Sequence, residues 1–174
     1  MSLTGDSIAL LGQADALLER IDGSLLRATA PGFESGSVGA QLRHVLDSYG
    51  CFLSGLTDGH IDYENRARDL AVESEIDACR ARVTDVRARL GRVPDDAGSR
   101  PVRVLCDTDG CAGAPGVASD STVRRELQFL MSHVIHHFAL IAVILRLHDF
   151  DPGPTFGVAP STLAHWKRSS SHVS

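Results

Sequence analysis

Two histidines one helical turn apart, His133 and His137, are the residues whose type and spacing most directly suggest chemistry. At about 100° per residue they lie roughly 40° apart on one side of a helix, so both imidazoles can reach a common point. A helix offers two nitrogens to one metal ion through such a pair. The alternative is a neutral histidine that is buried in an apolar helix and satisfied by a hydrogen bond. The pair alone leaves both interpretations open.

A third histidine, His44, lies on another predicted helix, beside its apolar stripe rather than on it. The flank that it occupies is small or polar and contains Gln41, Ser48, Cys51 and Gly55. Three neutral imidazoles suit zinc, nickel or iron(II), and they leave a coordination position open for water or a substrate atom. Such a metal ion lowers the pKa of bound water and holds a bound thiol as thiolate. The sequence therefore predicts a metal site at His44, His133 and His137.

Other polar residues are candidates for supporting this site or contacting a substrate. Gln41 and Ser48 share the flank of His44, and Glu126, two turns before His133, is a candidate acceptor for an imidazole N–H. His136 points away from the pair, as a residue behind the ligands, at an interface or in solvent, and it replaces a ligand if the helix is rotated.

The polar connection 58–69 has no periodicity of its own, and such a segment is usually solvated. If it folds over the mouth of the site, its residues Tyr63, Arg66 and Arg68 can contact an anionic ligand.

The sequence lacks the residues that other kinds of catalytic or metal site require. A di-iron carboxylate bundle needs Glu-x-x-His pairs, whereas the residues three before the histidines are Gln41, Leu130 and Val134. No nucleophile elbow, phosphate loop or dinucleotide fingerprint occurs. The four cysteines form no C-x-x-C pair, which argues against a zinc knuckle or a disulfide framework, although Cys106 and Cys111 can pair across a loop.

Apolar residues spaced alternately by three and four predict four amphipathic helices, at about 6–28, 35 or 37 to 56, 70–90 and 121–150. Residues 91–120 are rich in Gly, Pro, Asp and Ser, with a β-like run at 101–106 that can pair with Val117-Ala118 as a small hairpin. Residues 149–174 form a tail with a short helix near 161–166, and Phe156, Val158 and Trp166 are expected to pack on the outside of the bundle. We predict an all-α fold, a four-helix bundle with a long connection between helices 3 and 4, as one domain over 1–174.

The net charge and the hydropathy of the sequence indicate which binding partners and which cellular compartment to expect. A net charge of -5 provides no general attraction to nucleic acid. The first residues lack a basic region followed by an apolar run, and no stretch approaches the roughly 20 apolar residues of a membrane span. We expect a cytoplasmic protein with neither a nucleic-acid nor a membrane partner.

The residues also resemble a known family. Arg43-His44 on the second helix and Glu126-Leu-Gln-x4-His133-x3-His137 on the fourth, followed by Ile141 and Leu145-Arg146, are similar to the DinB-like metal-binding four-helix bundles. The resemblance covers roughly residues 6–148 and is strongest in the fourth helix.

The resemblance implies His44, His133 and His137 as ligands, because family members use one histidine of the second helix and an H-x-x-x-H pair of the last. Family members with known activity include thiol S-transferases that act with bacillithiol or mycothiol and a mycothiol-dependent maleylpyruvate isomerase, and dimers are common. The connection 91–120 and the segment 156–162 are not general features of that fold.

Three functions remain open: a metal-dependent transferase or hydrolase acting on a small molecule such as a low-molecular-weight thiol, a non-catalytic metal-binding or stress-associated protein, and a helical protein with packed histidines.

Overall fold

The structure is a computed structural model that describes residues 2–32, 36–105 and 117–170. Its helices and strands are α1 (Gly5–Leu18), α2 (Gly23–Leu26), α3 (Val38–Gly55), β1 (His60–Asp62), α4 (Leu70–Ser74), α5 (Ile76–Leu90), a 3-10 turn (Asp95–Ser99), β2 (Pro101–Leu105), β3 (Ala118–Thr122), α6 (Val123–Leu147) and α7 (Pro160–Ser170).

The four long helices α1, α3, α5 and α6 form the predicted bundle. Helix α3 packs against α5 and α6, and α1 packs against the same two helices. Each long helix has fully buried residues on its apolar stripe, as at Leu11, Phe52, Val83 and Phe138. This arrangement confirms the predicted all-α class, because amphipathic helices remove their apolar faces from water by packing on one another.

Two of the predicted helices are each divided into two. The Asp22 carboxylate accepts hydrogen bonds from the backbone N–H groups of Ser24 and Leu25, so it begins the new helix α2 instead of continuing α1. Glu75 is extended, with φ -123° and ψ 123°, and separates α4 from α5. At the start of α3 the Ser37 side chain accepts from the backbone N–H of Ala40, which favours Ser37 over Ser35 as the helix cap.

A three-stranded sheet in the order β1-β2-β3 covers one end of the bundle. The predicted hairpin is confirmed, since β2 and β3 pair antiparallel with Pro101 opposite Thr122. Residues 121 and 122, which we predicted to be helical, belong to β3, and the Thr122 side chain caps α6 by accepting from the backbone N–H of Arg125. Cys106 and Cys111, which we considered as a possible pair, lie outside the described residues.

Strand β1 was not predicted, and it positions the connection that approaches the histidines. It pairs parallel to β2, with His60 opposite Arg103, and only Ile61 of its three residues is buried. So short a strand carries no readable alternation of polar and apolar residues. The backbone N–H of Tyr63 then donates to the carbonyl of Leu105, which fixes the segment that follows β1.

The chain after α6 turns back onto the bundle. Phe156 stacks on Phe138, with ring centroids 4.9 Å apart, and the backbone N–H of Gly157 donates to Oε1 of Gln13. Trp166 on α7 is 47% exposed. The single domain over 1–174 stays a prediction.

Helix α6 is long and apolar enough, by length and composition, to cross a membrane, which we did not expect from the sequence. One such helix is weak evidence of a span, because the core helix of a soluble protein can pass the same test. Here α6 packs against α1 and α3, and 39% of its most apolar window is buried within the protein.

Candidate metal centre

Three histidines meet where the middle of α3 packs against α6. Nε2 of His44 lies 2.9 Å from Nε2 of His133, and the three ring centroids are separated by 4.4 to 4.9 Å. His137 completes the group, so one ring nitrogen from each residue lies within 4.8 Å of the others. The chain thus brings together the three histidines that the sequence singled out, across 89 residues.

The spacing fits a single metal ion. Zinc binds histidine nitrogen at about 2.0–2.1 Å, which in a tetrahedral site places the nitrogens about 3.3 Å apart. The nitrogens of His44 and His133 would therefore separate by only about 0.4 Å on binding. The three residues are half-buried, and over 2–32, 36–105 and 117–170 no other group of three His, Cys, Asp or Glu residues comes this close together.

All three imidazoles are held neutral by their surroundings. Burial, reinforced by repulsion from His44, lowers the pKa of His133 to about 4. Burial and the neighbouring His133 lower the pKa of His137 to about 3. Burial also lowers the pKa of His44, and the positive charges of Arg66 and Arg43 lower it further. At pH 7 the ring nitrogens consequently offer the lone pairs that a metal ion needs.

Gln41 orients one of the rings. Its Oε1 lies 2.6 Å from Nδ1 of His137. A carbonyl oxygen only accepts, so the proton of His137 is on Nδ1 and the Nε2 lone pair is available. Hydrogen bonds of this kind set the tautomer and the orientation of metal-binding histidines.

Comparison with known proteins agrees with this geometry. A family model described as the DinB superfamily matches residues 10–141, which include all three histidines. The chain belongs to the DinB superfamily.

A solved structure shares the fold of this DinB chain. The crystal structure of a DinB-like protein, YjoA, from Bacillus subtilis superimposes with a TM-score of 0.61 at 21% identity, covering 87% of this chain and 94% of that one. A curated protein of Rhizopus delemar named FK506-binding protein 5 is 28% identical over 108 residues, which are 62% of this chain. The match spans only 28% of that protein's length.

The other candidates around the DinB histidines occupy distinct positions. Arg66 donates from Nη1 to Nδ1 of His44 at 3.1 Å, whereas Ser48 donates to the backbone carbonyl of His44 and not to its ring. Arg68 contacts Asp47 through its backbone N–H. His136 meets the ring of His137 edge-on, with centroids 5.2 Å apart.

Two cavities flank the histidines. One, of about 390 Å³, is lined by Ala40, Gln41, Arg43, His44, His136, His137 and Leu140. The other, of about 120 Å³, is lined by His44, Ser48, Tyr63, Glu64, Arg66, Phe129 and His133. His44 lines both cavities, so a ligand can approach the cluster from either side.

Glu126, a candidate acceptor for an imidazole N–H, binds two hydroxyl groups. The residue is 6% exposed, and its carboxylate accepts from the hydroxyl of Tyr63 at 2.9 Å and from the hydroxyl of Ser121 at 2.6 Å. The sheet explains these contacts. Tyr63 directly follows β1 and Ser121 lies in β3, and the two strands place both residues beside the first turn of α6, which contains Glu126. Glu126 therefore fastens the sheet to the helix that carries two of the histidines.

Phe129 is a neighbour of the site that we did not predict. Its ring stacks on His133, with centroids 5.6 Å apart and planes at 23°, and it also contacts Tyr63. Phe129 precedes His133 by four residues, and this spacing places both side chains on one face of α6. That signal was readable in the sequence. Arg43, which the family resemblance already included, forms ion pairs with Asp47 and Glu73.

Tyr63→Phe is expected to destabilise the protein by about 1–3 kcal/mol, because one oxygen of a buried carboxylate loses its donor while the ring contact with Phe129 is kept. Ser121→Ala removes the donor to the other oxygen and should cost a similar amount. Urea unfolding of both variants measures this. A loss below about 0.5 kcal/mol in both would show that the carboxylate does not depend on the two hydroxyls.

The metal-free protein is expected to lose stability as the pH falls from about 6.5 to about 4. In this interval the unfolded chain binds protons at His133 and His137, whose ordinary pKa is 6.5, while the folded protein does not, so the free energy of unfolding decreases with decreasing pH. Melting curves of chelated protein between pH 7.5 and 4.5 measure the slope. The double variant His133→Gln with His137→Gln should reduce the slope. An unchanged slope in the double variant would show that His133 and His137 do not cause this pH dependence.

Proposed function

We propose that this protein is a mononuclear metal-dependent enzyme of the thiol S-transferase or hydrolase type, with His44, His133 and His137 as ligands. The observation that carries the proposal is the group of three neutral imidazole nitrogens within 4.8 Å of one another. In the part of the chain that the structure describes, no carboxylate or thiolate joins them as a fourth ligand. Three protein ligands leave a position for water or substrate, as in catalytic zinc sites. A bound metal ion supplies the Lewis acid that makes water or a thiol nucleophilic near pH 7.

The three imidazole ligands restrict the choice of metal, and the family resemblance and the cavities restrict the class of substrate. Imidazole nitrogens suit zinc, nickel and iron(II). Family resemblance favours a small-molecule substrate, in particular a low-molecular-weight thiol, and a homodimer. The charge and hydropathy of the sequence favour a cytoplasmic protein without nucleic-acid or membrane partners. The two cavities beside the histidines support a small ligand, since neither exceeds about 390 Å³.

A second candidate is a non-catalytic metal-binding protein, and one observation favours it. Glu126 is the carboxylate that the sequence placed nearest the histidines, and both of its oxygens are engaged by hydroxyl groups. It is therefore poorly placed to take a proton from a nucleophile.

Metal loading and turnover separate the two candidates. Untagged protein is stripped with chelator, reloaded with zinc, nickel or anaerobic iron(II), and analysed for bound metal. Loaded and stripped samples are then assayed for thiol transfer to an electrophilic probe and for ester and amide hydrolysis. Turnover that follows metal content supports the enzyme, and stoichiometric metal without turnover in any assay favours the binding protein. Absence of bound metal under all three conditions contradicts both.

Gln41→Met is expected to weaken metal binding about 10–100-fold, which is typical when the hydrogen-bond partner of a metal-binding histidine is lost. Methionine nearly preserves the volume of glutamine, but its thioether sulfur is a much weaker acceptor for the Nδ1–H of His137 than the amide oxygen. Competition with a chromophoric chelator gives the Kd. Ser48→Ala is the matched control, because Ser48 bonds a backbone carbonyl and leaves the rings untouched. Equal affinities for Gln41→Met and the unmodified protein would exclude this orienting role.

A further inference from the structure

The contact between Arg66 and His44 determines which nitrogen of His44 carries the proton. A guanidinium only donates hydrogen bonds, so Nδ1 of His44 must accept from Arg66. Since Nδ1 has no proton of its own, the ring proton of His44 is on Nε2. That N–H points to Nε2 of His133 at 2.9 Å, which accepts it. Without metal, the chain Arg66–His44–His133 is a consistent series of donors and acceptors.

A metal ion in the cluster reverses this order. When Nε2 of His44 gives its lone pair to a metal, the proton of the neutral ring must be on Nδ1. Nδ1–H and the guanidinium N–H groups of Arg66 are then two donors facing each other 3.1 Å apart, with a cation on the far side of the ring. The contact cannot persist, and Arg66 has to find another partner.

The surroundings of Arg66 restrict where that partner can be. Its backbone segment is fixed on both sides, by the backbone N–H of Tyr63 on Leu105 and by that of Arg68 on Asp47. The side chain is therefore the part that moves. Its nearest carboxylate is Glu64, at 3.8 Å and 43% exposed, and its Nε is buried without a hydrogen-bond partner. Displaced from His44, the guanidinium remains a weakly paired cation in the cavity shared with His133 and Phe129.

We propose that Arg66 is the anion-binding residue of this site, exchanging His44 for a carboxylate of the substrate once metal is bound. The proposal rests on the function proposed above and specifies its substrate class. The ligand is a small molecule that gives one atom to the metal and presents a carboxylate to Arg66. A planar guanidinium pairs with a carboxylate through two parallel hydrogen bonds, and the unpartnered Nε is one of the donors available for them. The roughly 120 Å³ cavity limits this part of the ligand to a few heavy atoms.

Two predictions distinguish this role from a structural one. Loading the unmodified protein must break the Arg66–His44 contact, whereas Arg66→Met has no such contact to break and brings no positive charge near the ion. Arg66→Met should therefore bind cobalt(II) or zinc at least threefold more tightly. It should at the same time show a weaker preference for ligands that carry a carboxylate.

The experiment uses the cobalt(II)-loaded protein and two thiols that differ in their second group, a carboxylate in mercaptoacetate and a hydroxyl in 2-mercaptoethanol. The sulfur-to-cobalt absorption band reports binding without any turnover. We expect the preference of the unmodified protein for mercaptoacetate to exceed that of Arg66→Met at least tenfold, since direct chelation of cobalt by mercaptoacetate is common to both. Arg92→Met, which replaces an exposed arginine away from the site, should behave as the unmodified protein. Melting curves confirm that each variant is folded.

The outcomes separate the two proposals. Cobalt that binds tightly, with equal thiol affinities in the unmodified protein, overturns the role of Arg66 but leaves the metal site standing. The same conclusion follows if Arg66→Met keeps the preference. If the unmodified protein binds no cobalt, the proposed function fails, and the inference about Arg66 fails with it.

Discussion

His133→Ala is expected to reduce bound metal from near one equivalent to less than a tenth of an equivalent under the same loading conditions. The substitution removes the ligand whose Nε2 lies 2.9 Å from that of His44 and leaves two imidazoles. Two histidines on separate helices lack the three-ligand arrangement of known catalytic zinc sites. His44→Ala should have the same effect, since α3 supplies no other member of the cluster. Elemental analysis of untagged protein gives the stoichiometry.

His136→Ala is the matched control for this loss. It removes a histidine from the same helix and the same cavity, but His136 is outside the group of converging nitrogens and only meets the edge of the His137 ring. Metal content should remain near one equivalent. If His44→Ala and His136→Ala lose metal equally, the assignment of the three ligands is wrong.

Thermal unfolding gives an independent measure of the same site. A metal ion that binds only the folded protein stabilises it by about 2.7 kcal/mol when its free concentration is 100 times Kd. For a chain of this length, that raises Tm by roughly 5–11 °C. Addition of chelator should reverse the shift in the unmodified protein and have no effect on His133→Ala. A variant that still melts higher with metal would retain a site that we have not identified.

The positions of the three histidines were predictable because they depend on local periodicity. His133 and His137 are one turn apart on a helix whose apolar stripe is continuous, and His44 lies beside the stripe of another. When two amphipathic helices pack by their stripes, residues on adjoining flanks meet at the edge of the contact. The sequence therefore contained the ligands without showing which of their nitrogens faced inward.

The hydrogen bonds around the histidines were not predictable, since they depend on pairings between distant segments. Tyr63 reaches Glu126 because β1 joins β2 in parallel, and a three-residue strand gives no periodic signal. The two hydroxyl donors to Glu126, a candidate acceptor for an imidazole N–H, were not predictable for this reason. Arg66 was a candidate for anion binding, but its contact with His44 follows from the same strand pairing.

Helix ends were not predicted correctly where the side chain of a single residue starts a new helix within a continuous apolar pattern. Asp22 lies within a stretch whose apolar residues continue from α1 into α2, but its carboxylate binds two backbone N–H groups and starts the helix again. Such a cap is worth about 0.5–2 kcal/mol, enough to divide a helix that periodicity alone would extend.

Gly39→Ala is expected to destabilise the protein by about 2–3 kcal/mol, because α4 lies against the bare backbone of α3 at this position. A Cβ at Gly39 would overlap the carbonyl oxygen of Glu73 and lie 2.8 Å from its carbonyl carbon and 3.2 Å from Cγ of Leu26. Two of these three atoms are backbone, so relief requires α4 to move away as a unit. For a protein of this size the loss lowers Tm by about 4–12 °C.

Gly12→Ala is the control, since both glycines lie inside long helices of the bundle. A Cβ at Gly12 meets only the guanidinium of Arg87, at 3.6 Å, which is ordinary contact. Alanine favours the helix by about 0.5–1 kcal/mol over glycine, so this variant should be unchanged or slightly more stable. If the two substitutions change the free energy of unfolding by similar amounts, α4 moves away at little cost and the close approach at Gly39 is unimportant.

The effect of Gly39→Ala should extend to the histidines through charged contacts. Glu73 accepts from Nε of Arg43 at 2.8 Å, Arg43 also binds Asp47 at 3.3 Å, and Asp47 accepts the backbone N–H of Arg68. If α4 moves, these contacts are weakened, and the connection that holds Arg66 beside His44 becomes less firmly fixed. We therefore expect the cobalt-loaded variant to lose part of its preference for mercaptoacetate while keeping its metal, because the three ligands belong to α3 and α6. Retention of the full preference would show that Arg66 is positioned by the sheet alone.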